Sequence, residues 1–429
     1  MKFAMVTTFY PPFHFGGDAI FIRRLSEALA RRGHEVTVVH DADAWRILAG
    51  RPDPEAGPEP RGLTRIQLDS GSKWKGQLSC LLTQQTGRPV MHGARIRDAL
   101  SHAAPDVIFF HNVSLVGGPG VLGFGDAIKL YMAHEHWLVC PTHVLWRHGR
   151  ERCDGPECLR CVLHHRRPPQ LWRSTGLLER EARHVDVFYS PSRFSADMHR
   201  RFGFSRELEV IPYFLPDLEA EAERPEPVRD PPSDAPYFLF VGRLEKIKGL
   251  QDVIPRFAGG EGAELWVVGT GDYEAELRAL ATGHPRVRFL GLRSPEQLRS
   301  LYKDALAVIV PSVCYETFGI ILLEAFREET PVIARRLGPF TEIVQTSGGG
   351  LLFENEAELG EAIERLGGDA TLREKLGRAG HLALRERWTE SVVLEQYFDL
   401  ITRVAERKNP SLHRALVRER QPATGGEAT

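Results

Sequence analysis

The chain has 429 residues, 42% of them hydrophobic and 26% charged, with a formal net charge of -2. That length allows two or three domains with cores of their own, and so even a charge balance sets up no overall field to draw in nucleic acid or an acidic membrane. No stretch approaches the roughly 20 apolar residues of a membrane span, which leaves only peripheral membrane contact open.

Lys2 to Thr8 reads as a first strand, since its apolar run is too short and too interrupted by Thr for a signal peptide. Six cysteines without an export signal point to a reducing compartment rather than a disulfide framework. A cytoplasmic protein is the expectation. Tyr10 to Gly17 is a Pro/Gly loop, Asp18 to Arg32 an amphipathic helix, and His34 to His40 a second buried strand. That is the β-loop-α-β unit of a doubly wound fold. Gly16-Gly17 open the helix without a G-x-G-x-x-G fingerprint, yet two glycines there let the backbone approach a phosphate. Asp41, just past the second strand, reads as a turn residue.

Residues 51–75 are rich in Pro, Gly and charge and read as an exposed loop. Val107 to Phe110 and Ile128 to Ala133 are further buried strands, ending at His111 and at His134-Glu135-His136-Trp137. Histidines at the carboxyl ends of parallel strands stand on the ligand face of such a sheet. Cys140, Cys153, Cys158 and Cys161 follow, the last two as C-x-x-C. Four thiols at this spacing suit a structural zinc knot; an iron–sulfur ligand set and free or redox-paired thiols are the other readings.

Val185 to Tyr189 and Glu209 to Ile211 close the first half, and the acidic, Pro-rich residues 216–236 form a linker. Tyr237 to Val241 opens a second α/β alternation, continued by Leu265 to Val268, Val287 to Leu290, 304–311 and Pro331 to Ala334. Arg243 and Lys248 share the loop after the first of these strands and offer a planar fork and a point charge to phosphate. In 304–326, DALAVIVPSVCYETFGIILLEAF, a strand, a tight loop and a helix from Phe318 place Glu316 at a helix mouth and Glu324 eight residues on, about 12 Å along the axis. The unpaired N–H groups around Phe318, Gly319 and Ile320 make a ready anion site between the two carboxylates. An anion flanked by two hydroxyl-seeking carboxylates describes a sugar–diphosphate–nucleoside.

These residues resemble the retaining GT-B glycosyltransferases of the family 4 type. The resemblance spans residues 1 to about 405 and rests on Gly16-Gly17, V-G-R-L-x4-K-G at 241–249, V-G-x-G at 268–271 and E-T-F-G-I-I-L-L-E-A at 316–325. It implies an α/β GT-B architecture of two Rossmann-like domains facing a cleft. An acceptor-binding domain would occupy 1–215, with the Cys-rich stretch 140–165 as an insertion found in a subset of the family. The nucleotide-sugar domain would occupy 237–388, a helix at 389–408 would cross back to the first domain, and 409–429 would be a flexible tail.

By resemblance Glu324 holds the ribose, Glu316 the transferred sugar, Arg243 and Lys248 the diphosphate and Gly17 the loop against it, while His134 contacts the sugar near its anomeric centre. Tyr213 stands where the family usually has Asn-Gly. The implied reaction is metal-independent transfer from a nucleotide diphosphate sugar, with retained configuration, to a sugar, lipid-linked sugar or small-molecule acceptor. A GT-B epimerase, a pseudo-sugar coupling enzyme or an inactive sugar-nucleotide-binding subunit would carry many of the same residues.

Overall fold

The computed structural model describes residues 1–420 apart from 51, 56, 156, 218–234 and 260–261. In the first half run β1 (Lys2–Thr7), β2 (Glu35–Asp41), β3 (Leu63–Leu68), β4 (Val107–Phe110) and β5 (Ile128–Met132). A two-stranded antiparallel hairpin, β6 (Trp146–Arg147) with β7 (Glu151–Arg152), follows, and then β8 (Val187–Ser190) and β9 (Leu208–Val210). Seven of these strands form a parallel sheet in the order β3-β2-β1-β4-β5-β8-β9. The second half supplies β10 (Tyr237–Val241), β11 (Glu264–Val268), β12 (Val287–Gly291), β13 (Ala307–Val310), β14 (Val332–Arg335) and β15 (Gly350–Phe353). They form a six-stranded parallel sheet in the order β12-β11-β10-β13-β14-β15.

Helices cover both faces of each sheet, so the central strands are apolar on both sides, as all four buried residues of β4 and of β13 illustrate. In each sheet the strand order reverses beside the first strand, at β1/β4 and at β10/β13. Those two switch points are where open sheets leave a crevice at their carboxyl ends.

Three expectations need correction. Residues 51–75 are not all loop: Leu63–Leu68 pairs with β2 in register, and a helix begins at Lys73. The strand sits at the sheet edge with only its first and last residues buried, which is why its sequence can carry Arg65. The helix expected from Phe318 begins at Ile320. Part of the expected flexible tail is a helix, Pro410–Arg420, which packs Leu412 and Leu416 into the core. The expected linker at 216–236 falls mostly on 218–234, and 421–429 likewise lie outside the described residues.

The helix Glu390–Lys408 runs along the first half's elements. Its Tyr397 ring packs edge-on against Phe109 and Tyr189. Arg31–Glu390, Arg403–Glu209 and Lys408–Asp186 ion pairs fasten it along its length. These exposed pairs set its register more than its stability; the stability comes from Val393, Leu394, Leu400, Ile401 and Val404 in the core. Ile401→Ala should therefore lower unfolding free energy by about 2–5 kcal/mol in urea or guanidinium titration. A loss under about 0.5 kcal/mol would show that this helix is not held by its buried face.

Candidate functional site

A cavity of about 400 Å³ lies at the carboxyl ends of both sheets and is lined from both halves of the chain. The first half gives it Gly16, Gly17, Asp18, His134 and Tyr213; the second gives Arg243, Lys248, Glu316, Phe318, Gly319 and Ile320. Every site residue expected from sequence lines this space except Glu324 and the four cysteines.

Two helices open onto it. The helix Gly17–Arg31 starts after Gly16, and the helix Ile320–Arg327 after Gly319; neither has a side chain capping its first N–H groups. Those donors and the positive dipole ends therefore stay available to an anion. A Cβ at Gly17 would meet nothing within 4 Å, whereas one at Gly319 would stand 2.9 Å from the Phe340 ring. Glycine at 319 is thus required by packing, and at 17 it leaves open space toward the cavity. The glycines of V-G-x-G have a different task. Side chains at Gly269 and Gly271 would strike the backbone oxygens of Gly242 and Leu244, so they let the loop after β11 lie flat on the loop that carries Arg243.

Lys248 ends a short 3-10 turn closed by Gly249, whose φ of +74° and contact with the Pro311 carbonyl suit glycine alone. The turn thereby lies on the end of β13 and delivers Lys248 Nζ to within 2.6 Å of Glu316 Oε1. Ser312 Oγ donates to the same oxygen at 3.1 Å. Burial alone would push the Glu316 carboxyl up, but the ammonium and the hydroxyl outweigh it and hold it below the usual range. Lys248 is the mirror case: burial works against its charge, and Glu316 more than restores it. The sequence suggested two separate functions for these residues; the fold makes them one ion pair.

Arg243 is more exposed and pairs with Glu245 at 2.6 Å. Glu324 Oε2 accepts from the Tyr302 hydroxyl at 2.9 Å, and its Oε1 lies 3.8 Å from Arg24 of the opposite half. Glu316 stands in the loop before the helix, so the axial spacing expected between the two carboxylates does not apply.

His134 sits in a hydrogen-bonded row. Its Nδ1 is 2.6 Å from Tyr213 Oη, its Nε2 is 2.8 Å from His111 Nδ1, and His111 Nε2 is 3.4 Å from Met5 Sδ. Burial holds both imidazoles neutral, His134 down to about 4 and His111 well below its ordinary value. A thioether has no proton to give, so His111 Nε2 must donate to it. His111 Nδ1 then accepts from His134 Nε2–H, and His134 Nδ1 accepts from the Tyr213 hydroxyl. The row engages both ring nitrogens of His134, while the residue still lines the cavity where the sequence placed it. Its carbonyl accepts from Thr317 Oγ1 at 2.7 Å, across the cleft.

Thr317 has a second tie, since its own carbonyl accepts from Ser192 Oγ at 2.7 Å. Sequence reasoning passed over Thr317 and His143, which pairs with Glu135 at 2.6 Å. His111, directly after β4, was read from sequence as a strand-end histidine on the ligand face.

The four cysteines lie near one another around the β6–β7 hairpin. Burial pushes the Cys153 thiol up, and the neighbouring thiols of Cys140, Cys158 and Cys161 push it further. Among the described residues, the only trio of potential metal donors within 4.8 Å of one another is instead Asp41, Asp43 and His92.

Two family models match the chain: Glycosyltransferase Family 4 at residues 15–215 and Glycosyl transferases group 1 at residues 223–382. An uncharacterized glycosyltransferase of Methanocaldococcus jannaschii is 26% identical over 406 residues, 87% of this chain and 91% of its own. Sucrose-phosphate synthase from Thermosynechococcus elongatus superposes with a TM-score of 0.69 at 20% identity, over 95% of this chain and 100% of that one. Anabaena HepE in complex with UDP-glucose does so with a TM-score of 0.63 at 17% identity, over 94% and 100%.

Tyr213→Phe tests the row. The ring keeps its stacking on Phe21 at 4.3 Å but leaves His134 Nδ1 a buried acceptor without a donor. Unfolding free energy should fall by about 1–3 kcal/mol, with a change in the His134 tautomer visible in its ring ¹⁵N shifts. Unaltered shifts would break the assignment.

Proposed function

The chain belongs to the GT-B glycosyltransferases of the family 4 type, and on that premise we propose that it moves a sugar from a nucleoside diphosphate donor to a hydroxyl acceptor, with retention and without a metal ion. The observation that carries this reading is the convergence, in one cavity, of two uncapped helix N-termini, Arg243 and the Lys248–Glu316 pair. UDP-glucose, with which Anabaena HepE forms its complex, is the first donor to try.

In this reading the diphosphate rests against Gly17, Arg243, Lys248 and the first turn of the helix Ile320–Arg327. A diphosphate arriving there competes with Glu316 for the Lys248 ammonium. That exchange releases the Glu316 carboxylate to accept hydrogen bonds from the sugar. The bond from the anomeric carbon to the diphosphate breaks, and a bond to the acceptor oxygen forms on the same face. The acceptor's proton passes to the departing phosphate oxygen. Fixed donors stabilise the charge that grows on that phosphate, the task a divalent cation performs in other nucleotide-sugar enzymes. His134 contributes a wall and a carbonyl rather than a proton. Glu324, held by Tyr302, addresses the ribose. A zinc ion on Cys140, Cys153, Cys158 and Cys161 would act as a staple for the hairpin, outside the reaction.

Lys248→Ala should weaken free nucleoside diphosphate binding by about 10- to 100-fold, the worth of a charged hydrogen bond. Glu316→Gln should bind that nucleotide no more weakly than wild type, because it releases the ammonium, while turnover falls by about 100-fold or more. Calorimetry and nucleotide-release assays separate the two; weakened nucleotide binding in Glu316→Gln would overturn the exchange. Transfer should also persist when EDTA is added to the assay, and a strict requirement for added Mg²⁺ or Mn²⁺ would contradict the metal-free reading.

A further inference from the structure

We propose that Asp41, Asp43 and His92 bind one divalent transition cation, zinc foremost, at a structural site in the first half of the chain that is separate from the sugar-nucleotide cavity. The three residues come from three segments: the last position of β2, the first turn of the helix Ala42–Ala49, and the residue before the helix Gly93–Ala103. The fold brings one donor atom from each within 4.8 Å of the others, at exposures of 0%, 3% and 4%.

Their hydrogen bonds are incomplete in a specific place. Asp41 Oδ1 caps the helix by accepting from the Ala44 N–H at 3.1 Å. Asp41 Oδ2 is fully buried and has no hydrogen-bond partner. Asp43 Oδ2 accepts from the Ser70 N–H at 3.0 Å and lies 3.2 Å from His92 Nε2. Ser70 Oγ is 3.3 Å from that same nitrogen. The nearby cation, Arg46, stands 3.6 Å from Asp43 but is already shared with Asp53 and Asp69. Among the described residues no ion pair reaches Asp41.

A buried carboxylate oxygen without a donor is costly, and a second carboxylate beside it raises the cost. A positive charge offsets that cost, whether a proton on Asp41, a protonated His92 or a metal ion held by all three. The donor set favours the metal. Imidazole nitrogen with carboxylate oxygens suits zinc, at roughly 2.0–2.2 Å from each atom. Contraction on the order of 1 Å would bring the trio to those distances. The Ser70 hydroxyl or a water molecule is then placed to fill the fourth position.

The surroundings hold the ligands still and let an ion in. A Cβ on Gly76 would lie 2.9 Å from Asp43 Cγ, so the backbone of the helix Lys73–Thr86 is pressed onto that carboxylate. A cavity of about 550 Å³ reaches Asp43 between Ser72, Lys73 and Gly76. An ion there would tie the end of β2 to the 69–72 loop and to the start of the 93–103 helix, with no part in the transfer reaction.

The test uses the full chain carrying Cys158→Ser, so that the four-cysteine stretch cannot supply a complete ligand set. Zinc titrated into it should bind to one equivalent and raise the thermal midpoint by several degrees, and adding His92→Gln or Asp41→Asn should abolish both effects. Cobalt in the same site should give ligand-field bands without a thiolate charge-transfer band. Absence of saturable zinc binding, uptake unchanged by His92→Gln, or a thiolate band would each overturn the site and leave a shared proton as its occupant. Should Cys158→Ser fail to fold, His92→Gln in the otherwise native chain must hold one equivalent less zinc than the native chain, and equal content refutes the proposal.

Discussion

Lys248 and Glu316 stand 2.6 Å apart with a fifth to a quarter of each side chain still exposed, and the cleft is arranged around that pairing. A recessed ammonium and a recessed carboxylate hold their charges because each supplies what burial takes from the other. The pair also joins two elements distant in the chain, the turn after β10 and the loop after β13. Gly249 is the backbone condition for it, since only a residue without a side chain lets that turn lie on the Pro311 carbonyl.

Short, directional contacts join the two halves at the cleft. Thr317 donates to the His134 carbonyl and accepts from Ser192, so one residue bridges the loop before the helix Ile320–Arg327 to two loops of the first sheet. Glu342 accepts from the backbone N–H groups of Arg193 and Phe194, at 3.3 and 3.2 Å. Tyr213 stacks on Phe21 and leans on Phe318 from the other side. The helix Glu390–Lys408 adds apolar burial against the first half. The cavity's width therefore depends on hydrogen bonds at its walls and on hydrophobic packing behind them.

His134 shows how burial changes what a residue can do. At the end of a parallel strand a histidine is a natural candidate for catalysis. Here Met5 sulfur can only accept, which favours the Nε2–H tautomer of His111 and, along the row, the Nε2–H tautomer of His134 with the Tyr213 hydroxyl donating to its Nδ1. Three polar groups are satisfied in a row, and the ring becomes part of the scaffold. The Tyr213 that departs from the family's usual Asn-Gly is the donor that closes this row.

The sequence by itself determined the α/β class, most of the strands and the grouping of Gly16-Gly17, Arg243, Lys248, Glu316 and Gly319, because buried parallel strands and glycine-bearing loops leave local marks in composition and spacing. It missed β3, whose edge position lets charged residues into a strand, and it started the helix two residues early, because Phe318 is apolar on either side of a helix boundary. Only the tertiary structure decided that Lys248 and Glu316 form one pair, that His134 has no free nitrogen, and that Asp41, a turn residue by sequence, meets Asp43 and His92 in the interior. Each of these depends on contacts between residues far apart in the chain, and neither the pairing of a charge nor the sharing of a proton is set by local spacing.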